Sequence, residues 1–122
     1  PEADAIIISE YEELPKSVIL DEKTVAVVMT LNYLYDLTIL KNILPLPLLY
    51  LGILGPRRRT EKILGEIPIN EQYKKHLYAP VGLDIGADNP QEIALAIIAE
   101  IQAVVTNRSS GFLRHRHLPI HS

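Results

Sequence analysis

Cysteine is absent from these 122 residues. Disulfides, thiolate metal sites and Cys nucleophiles are therefore excluded, and an intracellular, cytoplasmic chain is expected. Long hydrophobic runs are lacking too. The most extended, residues 43–54, contains two prolines and is too short to span a bilayer, so no membrane is expected. The N-terminus has no signal-peptide pattern. It opens Pro1-Glu2-Ala3-Asp4 directly before a strand-like run, which reads as the middle of a domain. A positive excess is missing as well. Lys plus Arg number 12 against 15 Asp plus Glu, a net charge of −3, so no basic field for nucleic acid exists. The dinucleotide fingerprint G-x-G-x-x-G is absent, since Gly52 and Gly55 supply only G-x-x-G. No HExxH or paired-carboxylate arrangement stands out. Ser109 and Ser110 lie far from any strand-turn-helix context. The residues by themselves give no sign of catalytic turnover.

What is present is ordinary globular composition, 48% hydrophobic and 22% charged. The length suits one domain. Residues 1–107 read as that domain and residues 108–122 as a basic, His-containing tail. Residues 5–8 and 24–30 are apolar, largely β-branched runs of strand length. Residues 10–14 suggest a short helical turn before Pro15. In residues 32–44, Leu34, Leu37, Leu40 and Leu44 recur at helical spacing, and Pro45 closes the segment. Residues 48–54 form a third strand-like run, and 56–67 a second helix with Ile63, Leu64 and Ile67 on one side. Asn70 can cap a short helix over 70–77. Residues 81–86, VGLDIG, read as a Gly-punctuated loop or short strand. Asn89-Pro90-Gln91-Glu92 is a helix start with Asn as cap and Pro in the first position. That helix, to about Thr106, is apolar nearly all round, which predicts burial on several sides or an oligomer interface.

Strands that alternate with helices and are apolar on both faces predict an α/β fold with a parallel sheet. Ligands of such sheets sit at the carboxyl ends of the strands. Three segments fall there and are expected to converge: Thr30-Leu31-Asn32, Gly55-Pro56-Arg57, and Gly82 to Gly86. The middle one carries an oddity. Arg57, Arg58 and Arg59 open a helix, where the bare N–H groups already favour anions and each cation costs about 0.3–1 kcal/mol. Three consecutive residues spread over roughly 200° of helix, so not all can face one ligand. They read either as a solvated face or as an anion cradle. Gly55 favours the cradle, because it lets a phosphate approach the amides. Asp84 reads first as a turn-forming acid, and second as an acceptor for a ligand hydroxyl or amine. His115, His117 and His121 could collect a metal only with partners that the sequence does not provide, so no metal site is expected.

The segments TVAVVMTLNYLYDLTIL, YLGILGPRRRTEKIL, YAPVGLDIGADNPQEIALAIIAEI and GFLRHRHLPIH, in that order, resemble the C-terminal Rossmann domain of the XdhC/CoxI family. These are accessory factors of xanthine dehydrogenase and related molybdenum hydroxylases. The resemblance implies a Rossmann-like parallel sheet with flanking helices, whose first strand and Gly-rich turn are missing from this stretch. It implies a chaperone-like factor that binds the molybdenum cofactor, guards it during sulfuration and passes it to an apo molybdenum hydroxylase. A cysteine desulfurase would then supply the sulfur, since this chain has no thiol. Thr30, Asn32, Gly55, Arg57, Arg58, Gly82, Asp84 and Gly86 are the residues expected to hold molybdopterin. The family has His where this chain has Leu31. Two alternatives stand beside this reading. One is an NAD(P)-dependent oxidoreductase, for which the fingerprint is lacking. The other is a non-catalytic fragment that associates, as a homodimer, through its last helix and its open sheet edge.

Overall fold

Strands β1 (Asp4–Ile8), β2 (Thr24–Val28), β3 (Tyr50–Ile53) and β4 (Leu77–Tyr78) form one parallel sheet in the order β1-β2-β3-β4. Among the described residues three helices flank it: α1 (Tyr33–Ile43), α2 (Arg57–Gly65) and α3 (Pro90–Val105). This computed structural model describes residues 4–8, 20–30, 32–68 and 71–117. The expected turn at 10–14, Leu31, Asn70 and His121 lie outside them.

The strand pattern decides the layers. Ala26 and Val28 of β2, with Leu51 and Ile53 of β3, face α1 and α2. Val25, Val27 and Tyr50 point the other way, toward α3. α1 and α2 lie on one face because each connects neighbouring strands in the same direction across the sheet, and crossovers share one hand. α3 follows the last edge strand and returns over the opposite face. No helix among the described residues is long and apolar enough to cross a membrane.

The helix starts follow from local chemistry. The side chain of Asn32 accepts from Tyr35 N, and that of Asn89 accepts from Glu92 N at 2.8 Å. Glu92 reaches back to the N–H of Asp88, closing a reciprocal cap. Pro56 stands one residue earlier than expected. It is extended, with ψ 148°, and precedes a helix that has no side-chain cap.

The structure changes three expectations. The 70–77 helix is a 3₁₀ turn over Glu71–His76, and its last residue enters β4. β4 has only two residues, too few for a hydrophobic period to reveal. α3 is not buried on several sides. Ala96, Ile97 and Ala103 are buried, whereas Leu95 is 60% and Ile98 64% exposed. One sheet face covers only one side of a helix, and no second layer lies beyond it among the described residues.

Candidate functional site at the carboxyl edge of the sheet

The three strand-end segments do lie along one edge, but they do different work. Thr30, just past β2, turns its hydroxyl into the structure and donates to Asp36 Oδ1 at 2.5 Å. Asn32 is spent on capping α1. These two expected ligand contacts therefore serve the chain itself.

The arginine run divides in the same way. Arg57 and Arg58 are exposed. Arg59 folds inward, and its Nη2 pairs with Asp36 Oδ2 at 2.8 Å. Asp36 is wholly buried, so the ion pair is largely out of water. One carboxylate thus links Thr30 after β2, the body of α1 and the first turn of α2. The cation at the wrong end of the dipole has found an anion within the protein. Gly55 makes room for this, since a Cβ there would sit 3.3 Å from Arg59 Nη1, and its φ of 145° disfavours other residues.

Beyond Gly55 the edge opens into two cavities, one on each side of the Gly55-Pro56 turn. The first, of 460 Å³, is lined by Leu54, Gly55 and residues 80, 81, 83–87, 93 and 96. Asp84 is the one ionisable side chain in its lining, which mixes polar and apolar atoms. The second, of 580 Å³, is lined by Tyr33, Pro56, Arg58, Arg59 and Lys62. Lys62 Nζ lies 4.8 Å from the centre of the Tyr33 ring. The Tyr33 hydroxyl donates to Glu66, and this bond makes the tyrosine hold its proton more tightly than usual. A hollow of mixed polarity beside Asp84 and an almost wholly apolar hollow, walled by the Tyr33 ring and the stems of Arg58, Arg59 and Lys62, therefore share one turn.

The loop of the first cavity is fastened from behind. Glu100 of α3 accepts from Tyr50 Oη at 2.6 Å and from Gly82 N at 3.0 Å with the same oxygen. Leu83 N donates to Ala96 O, and Gly82 packs so closely that a Cβ would sit 3.2 Å from that of Ala96. Gly82 therefore fastens the loop to α3 rather than lining the cavity. The Tyr50 ring stacks on Tyr78 at 4.6 Å between centroids. Gly52 is needed there, because a Cβ would meet that ring at 2.8 Å and Val81 at 2.5 Å. Burial, then the bond to Glu100, pushes the Tyr50 proton affinity far up, and Tyr78 moves the same way. Gly86, with φ 70°, completes the loop.

Of the expected residues, the structure brings Gly55, Asp84 and Gly86 to one cavity and Arg58 to the other. Arg57 lines neither. Sequence reasoning missed Asp36, Glu100 and Tyr50. Their signal was present: a lone acid in the first turn of α1, and Glu100 amid the apolar run of α3. The tail residues His115 and His117 join no group of metal-ligating side chains among the described residues.

A family model described as the XdhC Rossmann domain matches residues 1–101. The chain belongs to the XdhC Rossmann-domain family. The XdhC module is 38% identical over 102 residues to a probable xanthine dehydrogenase subunit of Bacillus subtilis, covering 83% of this chain and 29% of that protein. It is 36% identical over 81 residues to the uncharacterized protein YqeB of Escherichia coli, covering 64% of this chain and 15% of that one. A crystal structure described as a xanthine dehydrogenase from Bacillus halodurans superposes with a TM-score of 0.66 at 33% identity, over 75% of this chain and 27% of that chain. The XdhC module thus spans less than a third of the length of these relatives.

Proposed function

We propose that this XdhC module is a cofactor-binding part of an accessory factor for molybdenum hydroxylases of the xanthine dehydrogenase type, without turnover of its own. Family membership and the xanthine dehydrogenase names of its relatives support the accessory role. The observation that carries the cofactor reading is the pair of unlike cavities on either side of Gly55-Pro56. Molybdopterin has the matching asymmetry: a flat, donor-rich ring at one end and a phosphate at the other. The 460 Å³ hollow suits the ring and offers it one acceptor, Asp84. The second hollow is apolar within, and the cationic ends of Arg58 and Lys62 around it attract the phosphate. Arg59 gives Nη2 to Asp36, and its buried Nη1 has no hydrogen-bond partner among the described residues. The residues present therefore fit the group.

When bound, the cofactor brings redox chemistry that serves the hydroxylase. The chain's own part is to hold and shield. Residues 80, 81 and 83–87, with Ile93 and Ala96 of α3, line the hollow for the ring, and Gly55 belongs to the same wall. Sulfuration by a cysteine desulfurase and hand-over to an apo-hydroxylase complete the reading.

The test is a titration with molybdopterin followed by pterin fluorescence, beside Arg58→Ala/Lys62→Ala. Saturable binding that weakens at least tenfold in the double variant supports the reading. Absence of binding by the parent chain removes it. A second reading, self-association, is favoured by the exposed apolar strip of Ile7, Leu95 and Ile98. Sedimentation decides it, since a monomer at every concentration ends that reading.

A further inference from the structure

We propose that the cavity under residues 83–87 selects its ring through the carboxylate of Asp84, with Glu100 as the positioning residue that fixes Asp84's loop. The inference rests on the cofactor reading above and goes further: it names the edge of the ring that is read. Asp84 is the one ionisable side chain in the lining, it is exposed, and no Lys or Arg lines that side. A carboxylate is an acceptor only. The ring edge that suits it is therefore one presenting two adjacent N–H donors, as the 2-amino-4-oxo edge of a pterin does. A 2-oxo ring such as lumazine places a carbonyl oxygen against the carboxylate instead, and an acceptor facing an acceptor is unfavourable.

Selection needs a loop that does not yield. Residues 81–83 are held by three backbone donors: Val81 N on Ile53 O, Gly82 N on Glu100, and Leu83 N on Ala96 O. Two of the acceptors are backbone carbonyls within regular elements. Glu100 is the side chain among them, and it is itself braced by the buried Tyr50 hydroxyl. Removing it frees Gly82 N–H and loosens the loop just ahead of Asp84. Glutamine keeps an acceptor oxygen at the same place.

The experiment measures pterin and lumazine binding to the whole chain by the intrinsic fluorescence of each ring, at pH 7. The parent chain is compared with Asp84→Asn, Glu100→Ala and Glu100→Gln. Pterin is expected to bind about tenfold more tightly than lumazine, the order for a hydrogen bond to a charged group. Asp84→Asn should bring the two together, because an amide can donate as well as accept. Glu100→Ala should lose the discrimination and Glu100→Gln should keep it, which a merely stabilising role would not produce. Equal binding of the two rings by the parent overturns the inference, as does undiminished discrimination in Asp84→Asn. Undiminished discrimination in Glu100→Ala overturns the positioning role. The two readings fail differently. If molybdopterin binds but pterin alone does not, only the ring-edge inference is lost. If neither binds, the cofactor reading goes first and takes this one with it. Two-dimensional NMR of Gly82 and Asp84 amides in the parent chain gives a check without substitution: pterin should shift both at about a tenfold lower concentration than lumazine needs.

Discussion

The two faces of the sheet use the same alternating strands and are finished differently. On the face of α1 and α2, Leu40, Leu44, Leu51, Ile53 and Ile63 are fully buried, and two helices share the cover. On the face of α3, one helix covers Val25, Val27 and Tyr50 and leaves Leu95 and Ile98 in the open. A hollow of 290 Å³ lined by Ile7, Val27, Ile98 and their neighbours remains between β1 and α3. Each face also uses one helical acid to hold a strand-end turn. The buried Asp36 does so with a half-buried ionic partner, Arg59, and Glu100 does so with two neutral donors. The difference teaches where rigidity resides. The Gly55 turn stands on a closed core and an ion pair. The loop at 81–86 stands on hydrogen bonds over a half-covered helix.

The comparison is broken most severely at Asp36. Asp36→Ala strands the Arg59 guanidinium and should lower stability by roughly 3–5 kcal/mol in urea unfolding, the usual cost of removing one partner of a buried pair. A loss below about 1 kcal/mol would show that water replaces the partner without difficulty. Next in size is a matched pair of truncations. Leu40→Ala on the closed face should cost about 3 kcal/mol, whereas Ile98→Ala on the open face should stay within about 0.5 kcal/mol. Equal losses would mean that the α3 strip is covered in solution.

The third effect is a pH dependence that is largest on the α3 face. The proton affinity of Tyr50 is raised in the folded state, so the folded chain keeps a proton that the unfolded chain releases near pH 10. Its stabilising contribution is complete below that pH and declines as pH rises beyond it. Urea unfolding at pH 8 and pH 11 should show the decline, and Tyr50→Phe should flatten it. An identical slope in the variant would assign the alkaline loss elsewhere, with Tyr78 the next candidate. The smallest effect is expected at the exposed arginines. Arg57→Ala should change stability by less than about 0.5 kcal/mol and can be slightly favourable, because it removes a cation from the helix start. A loss above about 1 kcal/mol would place Arg57 in a contact that the structure does not show.

Much of this protein was legible in its sequence, and the reason is periodicity. β-branched runs at 24–28 and the leucine spacing of 33–43 bury a face in only one kind of element, so α/β class and element order follow from the chain. The cap at Asn89 is local chemistry and was equally readable, whereas Asn32, expected among the ligand contacts, instead caps α1. The long, specific segments around Gly55 and Gly82 carried the family. What sequence could not assign was the direction in which each polar side chain turns. Arg57, Arg58 and Arg59 are alike as letters, and only the packing of α2 beside α1 brings the third, and not the others, to Asp36. Glu100 meets Gly82 and Tyr50 across 18 and 50 residues, distances that no local rule spans. Length, class, caps and family thus belong to the sequence, because they arise from short-range pattern. The division of the strand-end residues into struts and cavity walls belongs to the tertiary structure, because it arises from contacts between elements far apart in the chain.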